Sequence, residues 1–171
     1  MHYRTRTYIA ADWTGDIEVV DQLRKWNASD HWGLSFIDAH DLTSARDTSL
    51  PCTIKESLRK RLSRSKTFVL IVGDQTSSLT KGGCRYCSDY LSLFAICDRR
   101  HKLDHRSFIR YECGYAAANI PKIAVIYNRA SVSRPMCPEA VRNLGNHVPA
   151  HYCNNGKLYW NYQGIKSAIE G

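Results

Sequence analysis

Several familiar signatures are missing from this 171-residue chain, and each absence removes a class of function. No apolar run approaches the roughly 18 residues a membrane span requires. The opening Met1-His-Tyr-Arg-Thr-Arg-Thr7 has no apolar stretch of the secretory kind, so a cytoplasmic protein is expected. No Gly-rich dinucleotide fingerprint follows the first apolar segment, and no G-x-x-x-x-G-K-[ST] occurs anywhere. A Rossmann dehydrogenase and a P-loop NTPase are therefore poorly supported. Nor does any serine stand in a G-x-S-x-G elbow, which argues against a hydrolase of that type. Internal repeats and low-complexity linkers are also absent.

What is present suits one domain spanning residues 1–171, with 43% apolar residues to build a core. The seven cysteines are odd in number and scattered, so reduced thiols or metal ligation fit better than a disulfide framework. A formal charge of +8 favours an anionic partner. That charge is concentrated: Lys55 to Lys66 carries six basic residues against one acid, and Arg99 to Arg110 five against one. The first run reads as a solvated helix face.

Periodicity alternates between strand and helix. Thr7–Ala11 reads as a strand, broken at Asp12-Trp-Thr-Gly15. A helix follows, capped by Thr14 or Asp16, with Val19, Val20, Leu23 and Trp26 at helical spacing. Leu34–Asp38 is a second strand; Pro51 opens a helix whose apolar seam is Ile54, Leu58 and Leu62. Thr67–Val72 is a continuous β-branched and aromatic run closed by Gly73, expected at the centre of a sheet and buried on both faces. After an insertion of about 74–105, rich in Ser, Gly, Cys and His, come an amphipathic helix and a fourth strand, Lys122–Tyr127. The tail adds a strand near 147–152, an Asn154-Asn-Gly156 turn and a helix from about Tyr162 to Ile169. This alternation predicts an α/β fold with a central parallel sheet flanked by helices, its ligands binding beyond the carboxyl ends of the strands.

Two constellations carry chemistry. Within Arg106-Ser-Phe-Ile-Arg-Tyr-Glu112, Glu112 is the only acidic residue between Asp104 and Glu139, on a stripe with Phe108 and Tyr115. It is a candidate catalytic carboxylate; the plainer alternative is an N-terminal glutamate complementing the helix dipole. The insertion holds Cys84-Arg-Tyr-Cys87 and Cys97-Asp-Arg-Arg-His101, that is C-x2-C, nine residues, C-x3-H. Thiolate and imidazole are the ligands zinc prefers, so Cys84, Cys87, Cys97 and His101 are a candidate structural zinc site; free thiols packed as small apolar groups are the alternative. Cys113 reads as a buried helix residue.

The strand Tyr8-Ile-Ala-Ala11, the polar loop around Arg46, the Phe68-Val-Leu-Ile-Val72 strand followed by Ser77 and Ser78, and above all Ser107-Phe-Ile-Arg-Tyr-Glu112 resemble bacterial TIR-like proteins. The group that includes the TIR subunits of Thoeris anti-phage systems is the nearest. The resemblance implies a TIR-like (flavodoxin-like) fold, NAD+ as substrate, and cleavage between nicotinamide and ribose to give a cyclic or conjugated ADP-ribose signal for a separate effector. It implies Glu112 as the catalytic residue, with Asp12, Trp13, Arg46, Ser77, Phe108 and Tyr115 around the nucleotide, and a homo-oligomer. Two departures stand out: the Cys/His insertion is not part of a minimal TIR domain, and Phe108 replaces the tryptophan often found in the motif. The rival expectations are a non-catalytic TIR-like interaction module and, last, a nucleic-acid binder built on the basic runs. The latter is disfavoured because aromatics do not interleave with the charge and no finger or helix-turn-helix spacing appears.

Overall fold

A computed structural model describes residues 5–38 and 49–171. Four helices and nine strands occur in it: β1 (Thr5–Ala10), α1 (Ile17–Ala28), β2 (Phe36–Asp38), α2 (Pro51–Leu62), β3 (Thr67–Val72), β4 (Tyr90–Leu91), β5 (Ile96–Cys97), α3 (Phe108–Asn119), β6 (Lys122–Tyr127), β7 (Asn146–Pro149), β8 (His151–Asn154), β9 (Lys157–Trp160) and α4 (Tyr162–Glu170). The main sheet runs β2-β1-β3-β6-β7, and every pair in it is parallel. This is the expected α/β architecture, with β3 in the middle and each of its residues buried.

Side-chain alternation along the strands sends apolar groups to both faces. Tyr8, Phe68, Leu70, Val72, Val125 and Tyr127 pack with Leu58 and Leu62 of α2 and with Ile109, Cys113 and Ala116 of α3. Ile9, Val69, Ile71, Ala124 and Ile126 face the opposite way, onto Val19, Val20, Leu23 and Trp26 of α1 and Ile165, Ala168 and Ile169 of α4. Each fully buried Leu, Ile or Val contributes about 1.5–3 kcal/mol relative to exposure, which is why a strand as uniformly apolar as β3 settles at the centre.

The chain departs from its sequence pattern in two places. The single late strand expected near 147–152 is two: β7 completes the main sheet, while β8 turns away and pairs antiparallel with β9. The break falls at Ala150, whose N–H bonds the Tyr127 carbonyl and whose carbonyl accepts from Asn161. The turn between β8 and β9 puts both Asn155 (φ 49°) and Gly156 (φ 75°) in the left-handed region, which is what an Asn-Gly hairpin turn needs. Between β3 and α3, two one-turn helices and the short β4–β5 hairpin occupy a stretch that periodicity left unassigned. Among the described residues no helix is long and apolar enough to cross a membrane.

Candidate active site and thiol cavity

Strand order reverses direction between β1 and β3, since β2 lies on one side of β1 and β3 on the other. Open parallel sheets bind ligands at the carboxyl ends of strands beside such a point. Here that rim carries Asp12 to Asp16 after β1, Gly73 to Ser78 after β3, and Asn128 after β6.

Asp12 closes the first loop locally. Its Oδ1 accepts from the Thr14 amide at 3.0 Å and the Thr14 hydroxyl at 2.9 Å. Trp13 is half-buried against the α1–α4 layer, with the Arg24 guanidinium 5.2 Å from its ring centre. Asp16, the residue before α1, does not cap that helix with its side chain. Instead its carboxylate is buried at the rim, where Asn128 Nδ2 donates to it at 2.9 Å. Burial raises its pKa, a rise that the bond from Asn128 opposes and the nearby Asp12 and Asp74 carboxylates reinforce. A Cβ at position 73 would collide with this carboxylate, so Gly73 is what lets Asp16 sit there. Periodicity marked Asp16 only as a cap; no short-range signal could have revealed a bond to a residue 112 positions away.

Glu112 lies one layer beneath. Helix α3 starts cleanly because the Ser107 hydroxyl accepts from the Arg110 amide. Glu112 is its fifth residue, about 6 Å along the axis from the first. Its side chain turns into the layer between helix and sheet, 5% exposed, and the Tyr8 hydroxyl donates to its Oε1. Burial pushes its pKa up to about 7, against the opposing effects of the Tyr8 hydrogen bond and the Arg61 charge. The phenol of Tyr8 is itself raised well above its ordinary value, first by burial and then by the adjacent carboxylate. Glu112 is therefore not an exposed glutamate complementing a helix end. It is a buried acid poised near neutrality, held by a strand tyrosine that sequence reasoning read only as part of a β-strand.

The other anticipated site residues scatter. Phe108 packs on Gly82, where any Cβ would strike its ring. Tyr115 is half-buried against the α2–α3 layer. Ser77 is exposed, and it is its carbonyl, 3.5 Å from Arg110 Nη2, that meets α3. Arg46 lies outside the described residues.

Two cavities open beside the N-termini of α2 and α3, and Glu112 lines neither. The larger, about 610 Å³, is walled by Lys55, Lys102, Asp104, His105, Arg106 and Tyr111 among others. Lys55 is buried there, donating to the Asp104 carbonyl at 3.0 Å and the Arg106 carbonyl at 2.7 Å, so α2 holds the chain entering α3. Burial raises the Asp104 carboxyl, but Arg106 and Lys55 outweigh that and hold it at about 2. The smaller cavity, about 20 Å³, brings Cys84, Cys87, Cys97 and His101 together with Cys52 of α2. Yet among the described residues no group of three or more His, Cys, Asp or Glu is set to hold a metal ion as it stands. The anticipated four share a cavity without forming a ready-made site. Cys113 is buried, as read.

Residues 8–81 match the family described as Thoeris protein ThsB, TIR-like domain. Over this stretch the chain is similar to the TIR-like domain of ThsB. The matched stretch runs from within β1 through β3 and closes before α3, so Tyr8 and the rim loops after β1 and β3 lie inside it, while Glu112, Asn128, β6 and β7 lie outside it. No curated protein matches the chain. The five-stranded parallel sheet with helices on both faces accords with a TIR-like fold.

Proposed function

We propose that this TIR-like chain serves in anti-phage defence by cleaving NAD+ at the bond between nicotinamide and ribose, releasing an ADP-ribose-derived, cyclic or conjugated signal for a separate effector. The observation that carries this reading is Glu112: a lone carboxyl, shielded from water, oriented by Tyr8 and with a pKa near 7. The chemistry asks little more. Nicotinamide departs as a neutral molecule from a cationic ring, so no general acid is needed, and the transition state is oxocarbenium-like at the ribose. An ionised carboxylate fixed in a low-dielectric site stabilises that growing positive charge without reorganising. Asp12 and Trp13 at the rim, together with Arg46, are proposed to contact the nucleotide, and Ser77, Phe108 and Tyr115 to border its site.

Because Glu112 is 5% exposed, the reading requires an opening between α3 and β1 before ribose can reach it. Assembly of several copies is proposed to supply that opening. The same burial favours the second reading, an interaction module in which Glu112 and Tyr8 only join helix to sheet. Chromatography of NAD+ incubated with concentrated protein decides between them. Nicotinamide should appear with the native chain and fall at least about 100-fold with Glu112→Gln, as expected when a preorganised electrostatic group is neutralised. Equal inertness of both folded proteins, with assembly demonstrated by light scattering, would install the scaffold reading.

A further inference from the structure

The stretch between β3 and α3 has almost nothing to fold around. Between Thr76 and Ser107 only Gly82 and Gly83 are buried, and Leu93 is 92% exposed. Strands β4 and β5 are two residues each, too short to hold themselves together. Segments of this kind without an apolar core are usually stapled by disulfides or by a metal.

The thiols converge on one cavity, though not at metal-binding spacing as they stand. Cys84 and Cys87 bracket a tight turn in which the Cys87 amide bonds the Cys84 carbonyl at 3.0 Å. Cys97 begins a second such turn, closed by the Arg100 amide on the Cys97 carbonyl at 2.8 Å with Arg100 left-handed at φ 58°. The β4–β5 hairpin joins the two turns, Cys97 standing opposite Tyr90. Both turns, and Cys52 from the first turn of α2, line the 20 Å³ cavity. That volume admits about one atom-sized body, and sulfurs are poor partners for a water, which needs two to four good ones. One amide already points at sulfur: Asp104 N–H lies 3.1 Å from Cys84 Sγ, the kind of bond that supports a metal-bound thiolate. Cys52 sits at a helix N-terminus, where the dipole favours negative charge. Lys102 lines the same cavity, so a cation is at hand for a tetrathiolate. All four thiols are half-buried, whereas His101 is exposed.

We propose that Cys52, Cys84, Cys87 and Cys97, and not His101, bind one Zn2+ as a closed tetrathiolate. Binding releases the four thiol protons to solvent, forms four Zn–S bonds, and draws the side chains inward from the positions they hold here. The ion fixes the hairpin to the start of α2 and so braces the wall, Cys84 and Lys102 to Arg106, of the larger cavity. This inference stands independently of NAD+ cleavage, because it rests on thiols of a cavity that Glu112 does not line.

The test is metal analysis of the full chain purified without chelators, together with Co2+ substitution. Expected are about one equivalent of zinc and, with Co2+, the intense thiolate charge-transfer and tetrahedral d–d bands of four sulfur ligands. Cys52→Ser should lose the zinc, while His101→Ala and Cys153→Ser, an exposed cysteine elsewhere, should keep it. Should Cys52→Ser fail to fold, the Co2+ spectrum of the native chain still counts the sulfur ligands. Absence of both zinc and a tetrahedral cobalt spectrum overturns the proposal. So does zinc that survives Cys52→Ser but not His101→Ala, or a mass short of two hydrogens that shows a disulfide among these thiols.

Discussion

Glu112 has one hydrogen-bond partner that bears on its charge, Tyr8, and this makes its titration informative. The folded pKa, about 7, lies above the ordinary value near 4.5. The folded chain thus binds a proton the unfolded chain has already lost between those pH values. Its stabilising contribution is complete below about pH 4.5 and disappears as pH rises to about 7, an effect of about 3 kcal/mol. Denaturant midpoints of the native chain should therefore decline over that window relative to Glu112→Gln, which has no proton to exchange. Activity should run the opposite way, rising through about pH 7 as the carboxylate forms. Tyr8→Phe removes a bond that lowers the Glu112 pKa, so the rising limb of the pH–rate profile should move to higher pH. A profile that stayed put in Tyr8→Phe would mean another group controls the rate.

At the level of elements, helices α2 and α3 are joined at their N-terminal ends by a polar clamp as well as by leucines lower down. Lys55 reaches two carbonyls in the turn before α3 and stands 3.5 Å from the Asp104 carboxylate. Its ammonium and the Arg106 guanidinium both lie against the Tyr111 ring, at 5.7 and 5.1 Å. Lys55→Met keeps the apolar stem but leaves those carbonyls without their donor, at a cost of about 1–3 kcal/mol. Urea denaturation should show that loss with an unchanged slope. An exposed pair on the same helix, Arg59 with Glu56, is the contrast: solvent screens it, so breaking it with Glu56→Gln should leave the urea midpoint essentially unchanged.

For the molecule as a whole, the rim and the buried acid are separate features. Asp12, Trp13, Asp16 and Asn128 lie at the carboxyl ends of the strands, while Glu112 is buried between α3 and β1; the proposed function requires relative movement of those two elements. If assembly provides that movement, specific activity should climb with protein concentration. A stopped assay at several concentrations would show it, and a flat response would leave assembly without a role. The stretch from β3 to α3, which buries little of its own, is tied to α2 by Lys55 and, by our proposal, by zinc.

The sequence was sufficient for the frame, because hydrophobic period is a local property that survives in one dimension. The uniform run Thr67–Val72 meant a doubly covered central strand, the seam of Leu58 and Leu62 meant a helix beneath it, and Pro51 marked a helix start that the structure keeps. Segment Ser107–Glu112 singled out the acid from its neighbours. What only tertiary structure decided were encounters between distant positions: Tyr8 with Glu112, Asn128 with Asp16, Cys52 with the thiols of a hairpin that no periodicity announced. Burial, and with it a carboxyl near neutral pKa, is a property of what surrounds a side chain in space, and no spacing along the chain contains it.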